Sequence, residues 1–133
     1  MPIDNFVVIV TILALGVYLW TGMRVGRARH VHGVSAPAIT GAPEFERAYR
    51  AQMNTLEWLP VFLISMWLFA YYWNAAIAAG IGLIWVLARI HYAVSYTKDP
   101  AKRGPGFGVQ ALATMVLLAG ALGKAIFAAV TGG

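Results

Sequence analysis

Long uncharged runs limit what this chain can fold into. No charged residue lies between Asp4 and Arg24, and a second uncharged run extends from Trp58 to Ala88. About 20 apolar residues cross a hydrocarbon core of roughly 30 Å as an α-helix. The second run is too long for one span, and its cluster YYWNAA is typical of a turn at a bilayer surface. The sequence therefore predicts an all-α integral membrane protein, consistent with 60% hydrophobic and only 11% charged residues.

Four transmembrane helices account for the apolar runs. The predicted helices cover about residues 5–28, 43–73, 75–97 and 105–130 of a single membrane domain, residues 1–133. The segment GPGFG is expected to be a turn at the start of the fourth helix, since it lacks the strand and the GK[ST] ending of a phosphate loop. No small-residue cleavage site follows the first apolar run, so the first helix is expected to be retained.

Basic residues are concentrated at the ends of the first and third predicted helices and in the loops that follow them. They are Arg24, Arg27, Arg29, Lys98, Lys102 and Arg103. Cytoplasmic loops of membrane proteins carry an excess of Lys and Arg. Both loops are therefore predicted to be cytoplasmic, with both termini on the opposite side. The same rule accounts for the net charge of +5. Nucleic acid is therefore not predicted as a partner.

Polar side chains interrupt the apolar pattern at one predicted depth. On the second helix they are spaced by three, four and three residues: Arg47, Arg50, Asn54 and Glu57. This spacing places them on one helix face. The third helix carries a second stripe of Arg89, Tyr92 and Tyr96, and Arg29 and Arg103 lie where the first and fourth helices reach the same boundary. We therefore expect a polar site at this level.

Glu57 and Arg89 are the deepest charged residues of these stripes. A charge that faced lipid would be costly, so both should face the bundle interior or a partner subunit and find countercharges. A purely structural pair of Glu57 with an arginine is an alternative. The excess of arginines favours a small anion that also carries one cationic group, and guanidinium groups bind carboxylates with both oxygens. A zwitterionic peptide would suit such a site.

The chain contains no cysteine. Disulfides, thiolate metal sites and a thiol nucleophile of the protein itself are therefore excluded. The pair His30 and His32 has no third ligand nearby in the sequence, so no metal site is predicted. Any thiol chemistry must use a thiol from another molecule.

Two segments, APEFERAYRAQMNTLEWLP and LARIHYAVSYTKDPAKR, resemble the MAPEG family, the membrane-associated proteins in eicosanoid and glutathione metabolism. The resemblance is strongest to microsomal glutathione transferases and leukotriene C synthases, and it covers residues 24–110. It implies a homotrimer of four-helix subunits that binds glutathione between neighbouring subunits, near the cytoplasmic surface. His30 and Trp58 replace an arginine and a tyrosine found in some relatives.

The resemblance also implies roles for individual residues. Arg29 and Arg50 would hold the carboxylates of glutathione, Glu57 its amino group, and Arg103 would stabilise its thiolate as the catalytic residue. The remaining pocket residues would be Gln52, Asn54, Tyr92 and Tyr96. The implied function is a membrane-bound glutathione S-transferase acting on hydrophobic electrophiles, as in detoxification, with glutathione-dependent peroxidase activity as a further expectation.

Two other functions are consistent with four helices of this kind. One is a non-catalytic lipid-binding or scaffold protein of the same family; the joint presence of Arg50, Asn54, Glu57 and Arg103 argues against it. The other is a small exporter that uses Glu57 as a proton-coupled site, as intramembrane carboxylates often do. Such an exporter should lack a dense arginine neighbourhood around Glu57, whereas this chain has one.

Overall fold

The computed structural model describes residues 4–133 as four long helices and one short 3₁₀ helix. They are α1 (Asn5–His32), α2 (Pro43–Tyr72), α3 (Ala75–Lys98), the 3₁₀ helix Pro100–Arg103, and α4 (Gly104–Thr131). All four long helices have the length and apolar composition needed to cross a membrane. The predicted all-α fold of four candidate membrane-spanning helices is confirmed.

Local sequence signals set the ends of these helices. Asp4 caps α1, because its Oδ1 accepts hydrogen bonds from the backbone N–H groups of Phe6 and Val7. The same helix continues to His32, four residues past its predicted end, and stops at Gly33 in the left-handed conformation (φ 67°). Asn74 caps α3 by accepting from the backbone N–H of Ile77 at 2.9 Å. Polar caps of this kind satisfy backbone groups that a helix leaves unpaired.

The segment GPGFG is helical, which corrects the turn expected there. Residues 104–108 form the start of α4, and the chain reverses earlier, where Asp99 caps the 3₁₀ helix Pro100–Arg103. A Cβ added at Gly106 would lie 2.8 Å from Tyr92 N and 3.0 Å from Ala88 O. Gly106 therefore serves a close approach of α4 to α3 rather than a turn, as small residues do between membrane helices.

Aromatic and small residues together form the core between the helices. The rings of Phe62 on α2 and Trp85 on α3 stack with centroids 4.1 Å apart. Gly82 allows close packing of three helices, since a Cβ there would lie 2.8 Å from Val10 Cγ1 and 2.6 Å from Met66 Sδ. The rotation of each helix about its own axis is thereby restricted.

The four helices run up and down, so two helix starts and two helix ends meet at each end of the bundle. We call the end where α1 and α3 finish and α2 and α4 begin the basic end, because it carries most of the cationic side chains. There, Nη2 of Arg24 on α1 donates to Oγ1 of Thr97 on α3 at 2.9 Å. Near the opposite end, the Lys124 ammonium lies 4.7 Å from the centroid of the Trp73 ring.

Candidate functional site

A polar cleft of about 270 Å³ opens near the basic end between α2, α3 and the 3₁₀ helix. We define this polar cleft by its lining residues, Arg50, Met53, Asn54, Glu57, Tyr92, Tyr96 and Arg103. Six of these seven side chains are among the eight site residues that the sequence predicted. The cleft therefore brings together residues that lie far apart in the sequence, from Arg50 to Arg103.

Helix α2 supplies one wall of the polar cleft. Arg50, Met53, Asn54 and Glu57 fall at intervals of three and four residues, so they share one helix face. The side chains of Arg50 and Glu57 are exposed along this wall. Met53 was missed by the sequence analysis, although its spacing from Arg50 places it on the same face. The wall thus presents a cation and an anion about two helical turns apart.

Helix α3 and the 3₁₀ helix supply the other wall. The rings of Tyr92 and Tyr96 are stacked, with centroids 5.6 Å apart and an angle of 10° between their planes. The guanidinium carbon of Arg103 lies 5.9 Å from the centroid of the Tyr96 ring. Arg103 ends the 3₁₀ helix, and it is exposed. The cleft thus carries one guanidinium on each wall.

Arg89 lies directly behind the polar cleft and is fully buried, with 0% of its surface exposed. Its Nη1 donates to Asn54 Oδ1 at 2.9 Å, and its Nη2 donates to Thr55 Oγ1 at 2.7 Å. Its guanidinium carbon also lies 4.3 Å from the centroid of the Tyr92 ring. Arg89 therefore contacts Asn54 on one wall of the cleft and Tyr92 on the other.

The partners of Arg89 correct the expectation of a countercharge. Its two hydrogen-bond acceptors are an amide oxygen and a hydroxyl, not a carboxylate. Thr55 was overlooked because a threonine beside a polar stripe gives no sequence signal of its own; its Oγ1 also donates to Ala51 O at 2.8 Å. Glu57 faces outward into the cleft and is exposed. It is thus available to a ligand.

Arg29 and Gln52 do not line the polar cleft of this chain. Nη1 of Arg29 donates to the backbone oxygen of Ala38 at 2.7 Å, and the guanidinium carbon lies 4.8 Å from the centroid of the Phe45 ring. Gln52 packs against α1, where its Nε2 would lie 3.1 Å from a Cβ added at Gly22. The two predicted residues lie instead where α1 meets α2.

Aromatic side chains border the polar cleft toward the apolar part of the bundle. Trp58 follows Glu57 on α2, and its ring meets that of Phe107 edge to face, with centroids 5.5 Å apart. Phe107 in turn lies 6.1 Å from Tyr92, measured between ring centroids. Phe107 was not among the predicted site residues. The polar cleft thus adjoins an aromatic border on α2 and α4.

The histidine pair forms no metal centre in the described part of the chain. His30 and His32 are both exposed near the end of α1. Within residues 4–133, no three His, Asp or Glu side chains come together in a way that would hold a metal ion. The chemistry of the polar cleft is therefore that of guanidinium, carboxylate, amide and phenol groups.

The groups of the polar cleft match a small zwitterion. Arg50 and Arg103 can each bind an anionic group, and Glu57 can bind a cationic one. The amide of Asn54 can donate to a further polar atom. A peptide of a few residues with free carboxylates and a free ammonium has this set of complementary groups.

Comparison with known proteins shows similarity along most of the chain. The MAPEG family model matches residues 7–123. An uncharacterized protein of Synechocystis is 47% identical over 114 residues, which make up 86% of this chain and 83% of that protein. The match to the family model confirms the family resemblance that the two sequence segments indicated.

Two relatives carry functional names. Human microsomal glutathione S-transferase 2 is 39% identical over 120 residues, covering 87% of this chain and 80% of the relative. Leukotriene C4 synthase of Cavia porcellus is 38% identical over 118 residues, covering 87% of this chain and 79% of the relative.

Proposed function

This chain belongs to the MAPEG family, and we propose that it is a membrane-bound glutathione S-transferase that conjugates glutathione to hydrophobic electrophiles. The polar cleft is the observation that carries this proposal. It combines two exposed arginines, Arg50 and Arg103, with the exposed carboxylate of Glu57. Glutathione has two carboxylates, one ammonium and one thiol, so each charged group of the cleft has a counterpart on it. The chain is an integral membrane protein, because it has four helices long and apolar enough to cross a membrane and belongs to a family of membrane proteins.

Each side chain of the cleft has a proposed role. Arg50 binds a carboxylate of glutathione through its planar fork. Glu57 binds the ammonium group, and the Asn54 amide, held from behind by Arg89, donates a hydrogen bond to the peptide. Tyr92 and Tyr96 form a stacked wall that limits the room for the ligand. These contacts would orient the thiol.

Arg103 is proposed as the catalytic residue. A free thiol with a pKa near 8.5 is mostly protonated at neutral pH, and a nearby cation lowers that pKa. The guanidinium of Arg103 would therefore favour the thiolate, which is the attacking species. The thiolate sulfur forms a bond to an electrophilic carbon of the second substrate. That carbon releases its leaving group, or an epoxide oxygen that then takes up a proton.

The hydrophobic substrate is proposed to come from the lipid bilayer. The aromatic border of Trp58 and Phe107 adjoins the polar cleft on its apolar side. The apolar surface of this aromatic border favours an apolar electrophile as a class. A lipid hydroperoxide would be reduced to an alcohol and water by the same thiolate, while two glutathione molecules form one disulfide.

A homotrimer would account for the two predicted residues that lie outside the cleft. Arg29 and Gln52 lie where α1 meets α2, while the open side of the cleft exposes Arg50 and Glu57. If subunits pack side by side, Arg29 and Gln52 of one subunit can close the cleft of the next. In this arrangement glutathione binds between subunits.

We place the polar cleft on the cytoplasmic side of the membrane. The basic end carries Arg24, Arg27, Arg29, Lys98 and Lys102, and Lys124 lies near the opposite end. Lys and Arg concentrate on the cytoplasmic side of membrane proteins. Both termini would then lie on the opposite side.

An ultraviolet difference titration tests the proposal without a choice of second substrate. Purified protein in detergent is titrated with glutathione while thiolate absorbance is followed, and calorimetry measures binding on the same samples. The wild type should give a saturable thiolate signal at neutral pH. Arg103→Ala should bind glutathione with little thiolate signal, and Lys102→Ala, on the same 3₁₀ helix outside the cleft, should behave as wild type.

Two results would contradict the proposal. If calorimetry detects no glutathione binding to the wild type, the cleft has another ligand, and the lipid-binding and exporter interpretations take precedence. If Arg103→Ala keeps the full thiolate signal, glutathione binds but Arg103 does not activate it. Glu57→Gln should weaken binding itself, which separates the binding role from the activating one.

A further inference from the structure

A second pocket, of about 400 Å³, lies at the basic end on the side of α1 that faces α3. We call it the basic pocket, and its lining residues are Arg24, Arg27, Ala28, Val31, His32, Glu44, Ala48, Thr97 and Lys98. It shares no residue with the polar cleft. It is therefore a separate feature of the molecule.

Arg24 is held in place at the basic pocket. Its Nη2 donates to Thr97 Oγ1 at 2.9 Å, and that hydroxyl donates in turn to the backbone oxygen of Ala93 at 2.9 Å. The guanidinium carbon lies 4.9 Å from the centroid of the Trp20 ring. A snorkelling arginine at a membrane surface has a free head group, whereas this one is fixed between two helices. Its Nη1 is buried and has no hydrogen-bond partner within residues 4–133.

The charge of the basic pocket is positive. Arg24, Arg27 and Lys98 are cationic, and Glu44 is the one carboxylate among the lining residues. Three cations against one anion leave an excess of two positive charges with His32 neutral. The pocket therefore favours an anion, and its guanidinium groups favour one with several acceptor oxygens, such as a phosphate.

The position of the basic pocket indicates where that phosphate comes from. The pocket lies where α1 and α3 finish and α2 begins, which is the level at which a membrane helix meets lipid headgroups. Three small or apolar side chains, Ala28, Val31 and Ala48, line it beside the cations. This combination suits a phosphate that continues into apolar chains. Basic pockets between transmembrane helices are known to hold anionic lipid headgroups.

Gln52 and Arg29 lie on the other side of α1 from the basic pocket. With about 3.6 residues per helical turn, Arg24, Arg27 and Val31 fall on the face of α1 opposite Gly22 and Arg29. A subunit that docks on the Arg29 side therefore leaves the pocket open. The basic pocket stays open in this way whatever reaction the polar cleft performs.

We propose that the basic pocket binds the headgroup phosphate of an anionic phospholipid. Nη1 of Arg24, Arg27 and Lys98 bind the phosphate oxygens, and the glycerol end of the acyl chains lies against Val31 and Ala48. The carboxylate of Glu44 repels a second negative group on its side of the pocket. The bound lipid joins the ends of α1 and α3 to the start of α2.

Native mass spectrometry of the full-length protein tests this site. Delipidated protein in mild detergent receives equal amounts of phosphatidylglycerol and phosphatidylcholine with the same acyl chains. Two excess positive charges at a membrane surface should favour the anionic lipid roughly 30-fold. The test variant is R27Q/K98Q, because both side chains are exposed and their loss does not disturb packing. The control variant R47Q/K102Q removes one Arg and one Lys outside the pocket.

The expected result is a strong preference for phosphatidylglycerol in the wild type and in R47Q/K102Q, and a nearly equal retention of both lipids by R27Q/K98Q. Equal loss of preference in both variants would show general surface attraction and overturn the site. Unchanged preference in R27Q/K98Q would overturn it as well. A further sample contains inorganic phosphate at the lipid concentration. Displacement of phosphatidylglycerol by this phosphate would assign the pocket to a free anion and refute the lipid assignment.

Discussion

Nη1 of Arg89 donates a hydrogen bond to Oδ1 of Asn54 at 2.9 Å, and this bond orients the Asn54 amide. Arginine has donors only, so the atom it meets must be the amide oxygen. The NH₂ group of Asn54 is then the part left for a ligand in the polar cleft. A buried residue thereby determines which hydrogen-bonding group the cleft presents.

Asn54→Asp separates these two functions of the amide. The carboxylate keeps an acceptor for Arg89 but has no donor for glutathione. We expect thermal stability equal to or above that of the wild type, and glutathione affinity weaker by about tenfold or more. Asn54→Leu, which lacks both groups, should lose stability as well. Wild-type affinity in Asn54→Asp, measured by calorimetry, would show that the amide donor does not contact the ligand.

The pH profile of catalysis reports the role of Arg103. A nearby cation lowers the thiol pKa, so its removal raises that pKa toward the free value of about 8.5. The rate of Arg103→Ala with an excess of electrophile should therefore fall at neutral pH, by about tenfold per pKa unit, and recover as the pH rises. Arg103→Lys keeps the charge and should keep much of the neutral activity. A profile that is lower by the same factor at every pH would argue against thiolate stabilisation.

Gly106 does not line the polar cleft, but Gly106→Ala should disturb the cleft through the packing of α4 against α3. The added Cβ would lie 2.8 Å from Tyr92 N and 3.0 Å from Ala88 O, both backbone atoms that cannot rotate away. We expect α4 to shift, with a loss of about 1–3 kcal/mol in stability and a weaker thiolate signal because Arg103, directly before α4, is displaced. Gly108→Ala is the control, because nothing lies within 4 Å of its added Cβ. Similar melting temperatures for the two variants would refute the close approach.

Mixed oligomers test whether neighbouring subunits share a site. Arg29→Ala and Arg103→Ala should each have strongly reduced activity at neutral pH when expressed alone. If one site takes Arg29 from one subunit and Arg103 from the next, a 1:1 mixture of co-expressed subunits regains about a quarter of the sites. If both residues serve the cleft of their own subunit, the mixture contains no intact site. Conjugation activity of the purified mixture distinguishes the two arrangements.

The absence of cysteine allows a clean test of membrane orientation. Single cysteines are introduced at Ser35, in the loop after α1, and at Thr131, at the end of α4; both positions are exposed. A membrane-impermeant maleimide should label Ser35→Cys from the cytoplasmic side and Thr131→Cys from the other side. The cysteine-free parent measures background labelling. Labelling of both positions from one side would contradict the predicted arrangement of the helices.

Much of the architecture follows from local sequence patterns. Gaps between charges reveal the apolar runs, because a charged side chain is costly in hydrocarbon. The aromatic cluster YYWNAA then divides the longest run into two helices. Helical spacing likewise places Arg50, Asn54 and Glu57 on one face of α2, since residues three and four apart are neighbours on any α-helix. These are properties of a single helix and need no partner.

The tertiary structure decided which of these faces meet. Sequence spacing does not reveal how far each helix rotates about its axis; that rotation depends on close approaches such as those at Gly82 and Gly106. The sequence by itself determined that Arg89 must avoid lipid. Only the packing of α3 against α2 showed that its partners are Asn54 and Thr55. Only the packing of α1 against α2 placed Arg29 outside the polar cleft, because distant segments meet through side-chain fit rather than through local pattern.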